Sequence, residues 1–70
     1  MKQIKSPMAG TVWKVLVATG DVVIPQQDLL ILESMKMEIP VAAECGGTVV
    51  EICCKDGDLA DEAQTLIVLA

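Results

Sequence analysis

The chain has 70 residues, a net charge of -5 and 53% hydrophobic residues, yet no Phe, no Tyr and a single Trp, which bounds it to one small domain, residues 1–70, with an aliphatic core. It contains no His and no Arg, so a Ser-His-Asp triad or a Cys-His pair cannot be assembled, and an autonomous enzyme is disfavoured. Lysines spaced singly through an acidic chain with one aromatic residue argue against nucleic acid, and the longest apolar runs fall far short of the roughly 20 residues of a membrane helix.

Met1 to Lys5 leads straight into Ser6-Pro7 without the apolar stretch of a signal peptide. The cysteines, Cys45, Cys53 and Cys54, are odd in number and two are adjacent, which suits a reducing cytoplasm better than a disulfide framework. They read as small core or surface residues, because no C-x-x-C pair or histidine accompanies them and no acidic run has calcium-loop spacing. No metal site is expected.

From Gly10 onward the chain repeats itself. Sliding it by 37 positions lays residues 10–33 over residues 47–70 without a gap, and 8 of the 24 pairs are identical. The identities are Gly10/Gly47, Thr11/Thr48, Val12/Val49, Gly20/Gly57, Asp21/Asp58, Gln27/Gln64, Leu29/Leu66 and Leu32/Leu69. Each copy parses as strand, Gly-Asp turn, strand, since β-branched runs flank the turn and no stretch is long enough for a stable helix. Two half-buried units of this kind bury their apolar faces by closing on each other as a pseudo-twofold sandwich or flattened barrel. The aliphatic runs Leu29–Leu32 and Leu66–Leu69 do not alternate, so they belong near the sheet centres. Pro7, Pro25 and Pro40 belong at edges or turns.

Residues 34–46, which join the copies, are assigned to neither. A tight hairpin over Glu33–Glu38 would place Met35-Lys36 at its tip, with the lysine amine thrust into solvent. Met35 and Met37 then either tuck back into the core as gap-fillers or stand exposed as an adaptable apolar collar that another protein reads. Glu33 and Glu38 make the setting acidic. An ordinary exposed amine titrates near ~10.4 and is almost wholly protonated at neutrality, so its acylation needs an activating enzyme.

The run E-S-M-K-M-E at 33–38, with S-P-M-A-G-T-V-W-K-V-L-V before it and G-D turns in both halves, resembles the biotinyl domain of biotin-dependent carboxylases over essentially the whole chain. M-K-M at 35–37 carries most of the likeness; lipoyl domains of similar fold usually have an acidic D-K-A tip. The resemblance implies an all-β barrel-sandwich hybrid of two four-stranded antiparallel sheets with quasi-twofold symmetry. It further implies biotin in amide linkage on Lys36, installed by a biotin protein ligase, with Met35 and Met37 flanking it for recognition and Glu33, Ser34 and Glu38 framing the attachment hairpin. Ser34 stands where alanine is more usual.

On that likeness the chain is a non-catalytic carboxyl carrier, moving carboxyl groups between a biotin carboxylase and a carboxyltransferase in the cytoplasm. A lipoyl carrier, a dual acceptor, or an unmodified sandwich used only for protein contacts are the alternatives. The likeness is imperfect at Ala9, often Pro in the family, and at Gln26 and Ala63, where the family often has Gly. No thumb-like insertion lies between Asp21 and Leu29. No Ala/Pro-rich tether precedes Ile4, so the chain either works untethered or is a fragment of a longer subunit.

Overall fold

The computed structural model describes residues 1–70. It is built entirely of strands: β1 (Lys2–Lys5), β2 (Gly10–Val15), β3 (Val22–Val23), β4 (Asp28–Ser34), β5 (Met37–Ala42), β6 (Gly47–Ile52), β7 (Leu59–Ala60) and β8 (Thr65–Leu69). They form two four-stranded antiparallel sheets, ordered β1-β8-β6-β3 and β5-β4-β2-β7. The aliphatic runs are the second strands of their sheets, and Leu29, Leu30, Leu32, Leu66, Ile67 and Leu69 are fully buried. Non-alternation has a local cause: Leu30 and Leu32, like Ile67 and Leu69, alternate normally, while Leu29 and Leu66 fall at register irregularities that turn one extra side chain inward. Pro40 falls on the edge strand β5, where a missing N–H breaks no ladder on the open side.

The internal symmetry reaches further than the aligned copies. Moving 37 positions along the chain carries β1, β2, β3 and β4 onto β5, β6, β7 and β8, and this maps one sheet's strand order onto the other's. Sequence assigns residues 34–46 to neither copy; the structure corrects this, since β5 belongs to the second copy and each copy has four strands. β5 is the counterpart of β1, with buried Val41 answering buried Ile4 and Ala43 answering Ser6. The equivalence escapes alignment because these short edge strands share only an inward apolar position. Backbone bonding exposes it: the Ser6 N–H donates to the Gln64 carbonyl at 2.9 Å and the Ala43 N–H to the Gln27 carbonyl at 2.9 Å.

Most of the identical pairs now have physical reasons. Gly10 and Gly47 lie where a Cβ would come within 2.9 Å of the Glu33 carbonyl oxygen and 2.6 Å of the Ala70 carbonyl oxygen. Gly20 and Gly57 hold φ of 96° and 92°, the left-handed turn region glycine enters freely. Asp21 Oδ2 accepts the Ala18 N–H at 2.8 Å and Asp58 Oδ2 the Lys55 N–H at 3.0 Å, closing side-chain turns. Gln27 Oε1 and Gln64 Oε1 staple the next turns by accepting the N–H groups of Ile24 and Asp61, at 3.1 and 2.9 Å. Val12/Val49, Leu29/Leu66 and Leu32/Leu69 are core. Nothing in the structure explains Thr11/Thr48. Trp13 and Val50 occupy equivalent register shifts in β2 and β6, and Trp13 is turned half out to solvent.

Gln26 and Ala63 have φ of 69° and 64°, so residues with a Cβ occupy left-handed positions that cost about 1 kcal/mol or more. Gln26→Gly and Ala63→Gly are each expected to stabilise the fold by about 0.5–1 kcal/mol after the entropy glycine adds to the unfolded chain. In a domain this small that amounts to a rise of about 2–8 °C in melting temperature. Calorimetry showing unchanged or lower melting in both variants would contradict the assignment of strain.

The fold separates the chain ends from the central hairpin. Ser6, just past β1, is bonded to Ala63 and Gln64 at the start of β8, and Gly10 pairs with Ala60 beside Glu33 and Ser34. Lys2 pairs with Leu69 at the far end of β8. The β4–β5 hairpin and the chain ends thus occupy opposite ends of a body measuring 31 × 18 × 18 Å.

Candidate functional site

β4 and β5 pair in register from Leu30↔Val41 to Ser34↔Met37, leaving a two-residue loop, Met35-Lys36. Both loop residues are left-handed, with φ of 51° and 66°, the type I′ geometry whose twist matches the flanking strands. Asn-Gly would suit this turn best; Met and Lys each cost about 1–2 kcal/mol there. The fold gains nothing from these side chains: Met35 is 93% and Met37 64% exposed, and Lys36 is exposed. Of the two roles open to the methionines, the structure selects the exposed collar over the core.

Glu33 and Glu38 are direct cross-strand partners on the hairpin. Register continues the row across the sheet through Thr11 to Leu59, so an exposed Leu59 (78%) stands on the same outer face at the opposite edge of the sheet. Like charges directly opposite are destabilising, and Glu38→Gln is expected to raise the melting temperature, more at low salt than at high salt because the repulsion is screened. An equal shift at both salt concentrations would rule out the charge explanation. Ser34 is half-buried and packs over Gly10, where a Cβ would come 3.5 Å from the Ser34 Cβ. Gly10 is thus a support of the hairpin that sequence marked only as a repeated glycine.

The remaining reactive groups are scattered. Cys45, Cys53 and Cys54 are free thiols; Cys54 is buried where the other half has Val17, and its thiol donates to the Leu66 carbonyl. Desolvation and the Asp58, Cys53 and Asp56 charges push the Cys54 thiol up, and desolvation with the Glu51 carboxylate does the same for Cys53, so both stay protonated and weakly reactive. No three His, Cys, Asp or Glu side chains gather as a metal site. A groove of about 340 Å³ between the edge strands β1 and β5, lined in part by Ile4, Lys5, Pro40 and Glu44, runs along the flank. No helix is long and apolar enough to cross a membrane.

The feature that stands apart is therefore one presented amine. A family model described as "Biotin-requiring enzyme" matches residues 2–69. The chain belongs to this biotin/lipoyl family. Within it, a biotin/lipoyl attachment protein of Bacillus subtilis is 48% identical over 63 residues, covering 90% of this chain and 86% of that protein. A biotin carboxyl carrier protein of Streptococcus mutans is 45% identical over 65 residues, covering 93% of this chain but 50% of that protein. Among solved structures, the urea carboxylase of Kluyveromyces lactis contains the same biotin/lipoyl fold, with a TM-score of 0.92 at 32% identity over 99% of this chain and 6% of that one. Biotin is the family's cofactor, and relatives of this chain are parts of carboxylases. The two four-stranded antiparallel sheets form the barrel-sandwich that the resemblance implied.

Proposed function

We propose that residues 1–70 act as a biotin carboxyl carrier domain in the cytoplasm, with biotin in amide linkage on Lys36. The observation that carries this reading is the tip itself: Met35 and Lys36 kept, at a conformational cost, in a two-residue turn that projects the lysine, with exposed Met37 next to it. A biotin protein ligase would supply an activated biotinyl group; the deprotonated Lys36 Nζ attacks its carbonyl carbon, an amide forms, and the activating group leaves. Met35 and Met37 offer polarizable surface to the ligase, while Glu33 and Glu38 offer charge to basic partners.

When bound, biotin supplies the carboxyl-carrying nitrogen. The chain's own part is tethering: the hairpin raises the local concentration of the arm first at a biotin carboxylase and then at a carboxyltransferase. In this reading the domain performs neither reaction, and it contains no histidine.

The reading is tested by offering the biotinylated chain to a biotin carboxylase with magnesium-ATP and labelled bicarbonate, beside free biotin. Label transferred to the protein well above the rate for free biotin is expected. No transfer to a fully biotinylated chain would overturn the carrier role. One relative's description, covering both biotin and lipoyl attachment, favours a second reading in which Lys36 also accepts lipoate; co-expression with a lipoate ligase and intact mass decides it.

A further inference from the structure

We propose that Met35 and Met37 are a reversible oxidation site, and that conversion of their thioethers to sulfoxides by a peroxide shuts off loading of Lys36. The inference rests on the carrier reading and adds regulation to it. Four methionines are present. Met35 (93% exposed) and Met37 (64%) flank the lysine, Met1 (93%) lies at the opposite end of the body, and Met8 is half-buried. Oxidation therefore has ready access to both sulfurs beside the lysine.

Two of the thiols compete poorly for peroxide: Cys54 is buried, and burial and acidic neighbours push the Cys53 and Cys54 thiols up, so they offer little of the thiolate that peroxide attacks. A thioether needs no deprotonation. Its sulfur lone pair attacks one peroxide oxygen, the O–O bond breaks, an S=O bond forms and water leaves; sulfur loses two electrons and the peroxide gains them. A methionine sulfoxide reductase reverses the step, with a dithiol becoming a disulfide and the oxygen leaving as water.

The consequence follows from where the sulfurs stand. Each is a soft apolar contact surface, and a sulfoxide is polar and must be desolvated when the ligase closes over the tip. Because neither side chain touches the core, the lesion leaves the fold standing and changes only what a partner meets.

The test uses the full chain without biotin. It is treated with hydrogen peroxide, then with dithiothreitol, which reverses disulfides and sulfenic acids but not sulfoxides. Peptide mapping confirms sulfoxide on Met35 and Met37, and the initial rate of ligase-catalysed biotinylation is compared with untreated protein. The rate is expected to fall about tenfold, the size of effect a desolvated polar atom produces. It should return after treatment with methionine sulfoxide reductases, and Met1→Leu should remain equally sensitive.

The Met35→Leu/Met37→Leu double variant, if loaded at a measurable rate, should lose peroxide sensitivity. An unchanged rate on chain carrying both sulfoxides overturns the proposal, as does inhibition that persists in the double variant or resists the reductases. Absence of biotinylation in the untreated wild-type chain is a different result: it contradicts the carrier reading itself.

Discussion

Replacing Lys36 by Arg is expected to abolish biotin incorporation while leaving the unfolding free energy within about 0.5 kcal/mol, as for an exposed substitution away from the core. Arginine keeps the charge, the length and the left-handed turn, but its guanidinium stays protonated and cannot act as the acylated amine. The variant retains Lys2, Lys5, Lys14 and Lys55 and the chain's amino terminus. None of the four lysines lies at the tip of a two-residue turn between exposed methionines, so none should substitute. Intact mass after ligase treatment checks this, with circular dichroism to verify the fold. Biotin retained on any of the four would show that exposure alone governs labelling.

The second large effect is in the core. Leu29→Ala and Leu66→Ala are each expected to destabilise the domain by about 2–5 kcal/mol, out of a total of roughly 4–10 kcal/mol for a chain of this length. Both side chains are completely buried, and an aliphatic core without Phe or Tyr offers few large groups that could collapse into the gap. Because the two leucines occupy equivalent places in the symmetric halves, the costs should agree within about 1 kcal/mol; urea unfolding of both variants measures them. A cost below about 1 kcal/mol in either would mean that the sheets do not close on that leucine as described.

Much of this architecture was legible in the residues. Gly-Asp at 20–21 and 57–58 marked the turns, and their glycines do hold positive φ while their aspartates accept backbone N–H groups. The ungapped repeat implied two closing halves. It stopped short at β1 and β5 because an edge strand is specified by little more than one inward side chain, Ile4 or Val41, and the rest of each strand is free to diverge. Gln27 and Gln64 were visible as identities, but their roles were not, since side-chain staples have no periodicity.

At the site, the hairpin could be placed from Glu33–Glu38, whereas the fate of Met35 and Met37 could not. A methionine suits a core gap and a contact surface equally well, and only the hairpin's register, which puts Met35 in the left-handed loop and Met37 on the outer face at the start of β5, decides between them. The pairing of Glu33 with Glu38 depends on the exact length of the hairpin loop, and the place of Leu59 in the same row depends on register between strands far apart in sequence.

Lys36 is expected to be the one lysine of this chain that its turn presents for acylation. Co-expression with an active biotin protein ligase and excess biotin, followed by intact mass and peptide mapping, tests it most directly. A single biotinyl group, located on Lys36, is the predicted result. An unmodified chain, or biotin distributed over Lys2, Lys5, Lys14 and Lys55 in proportion to exposure, would contradict it.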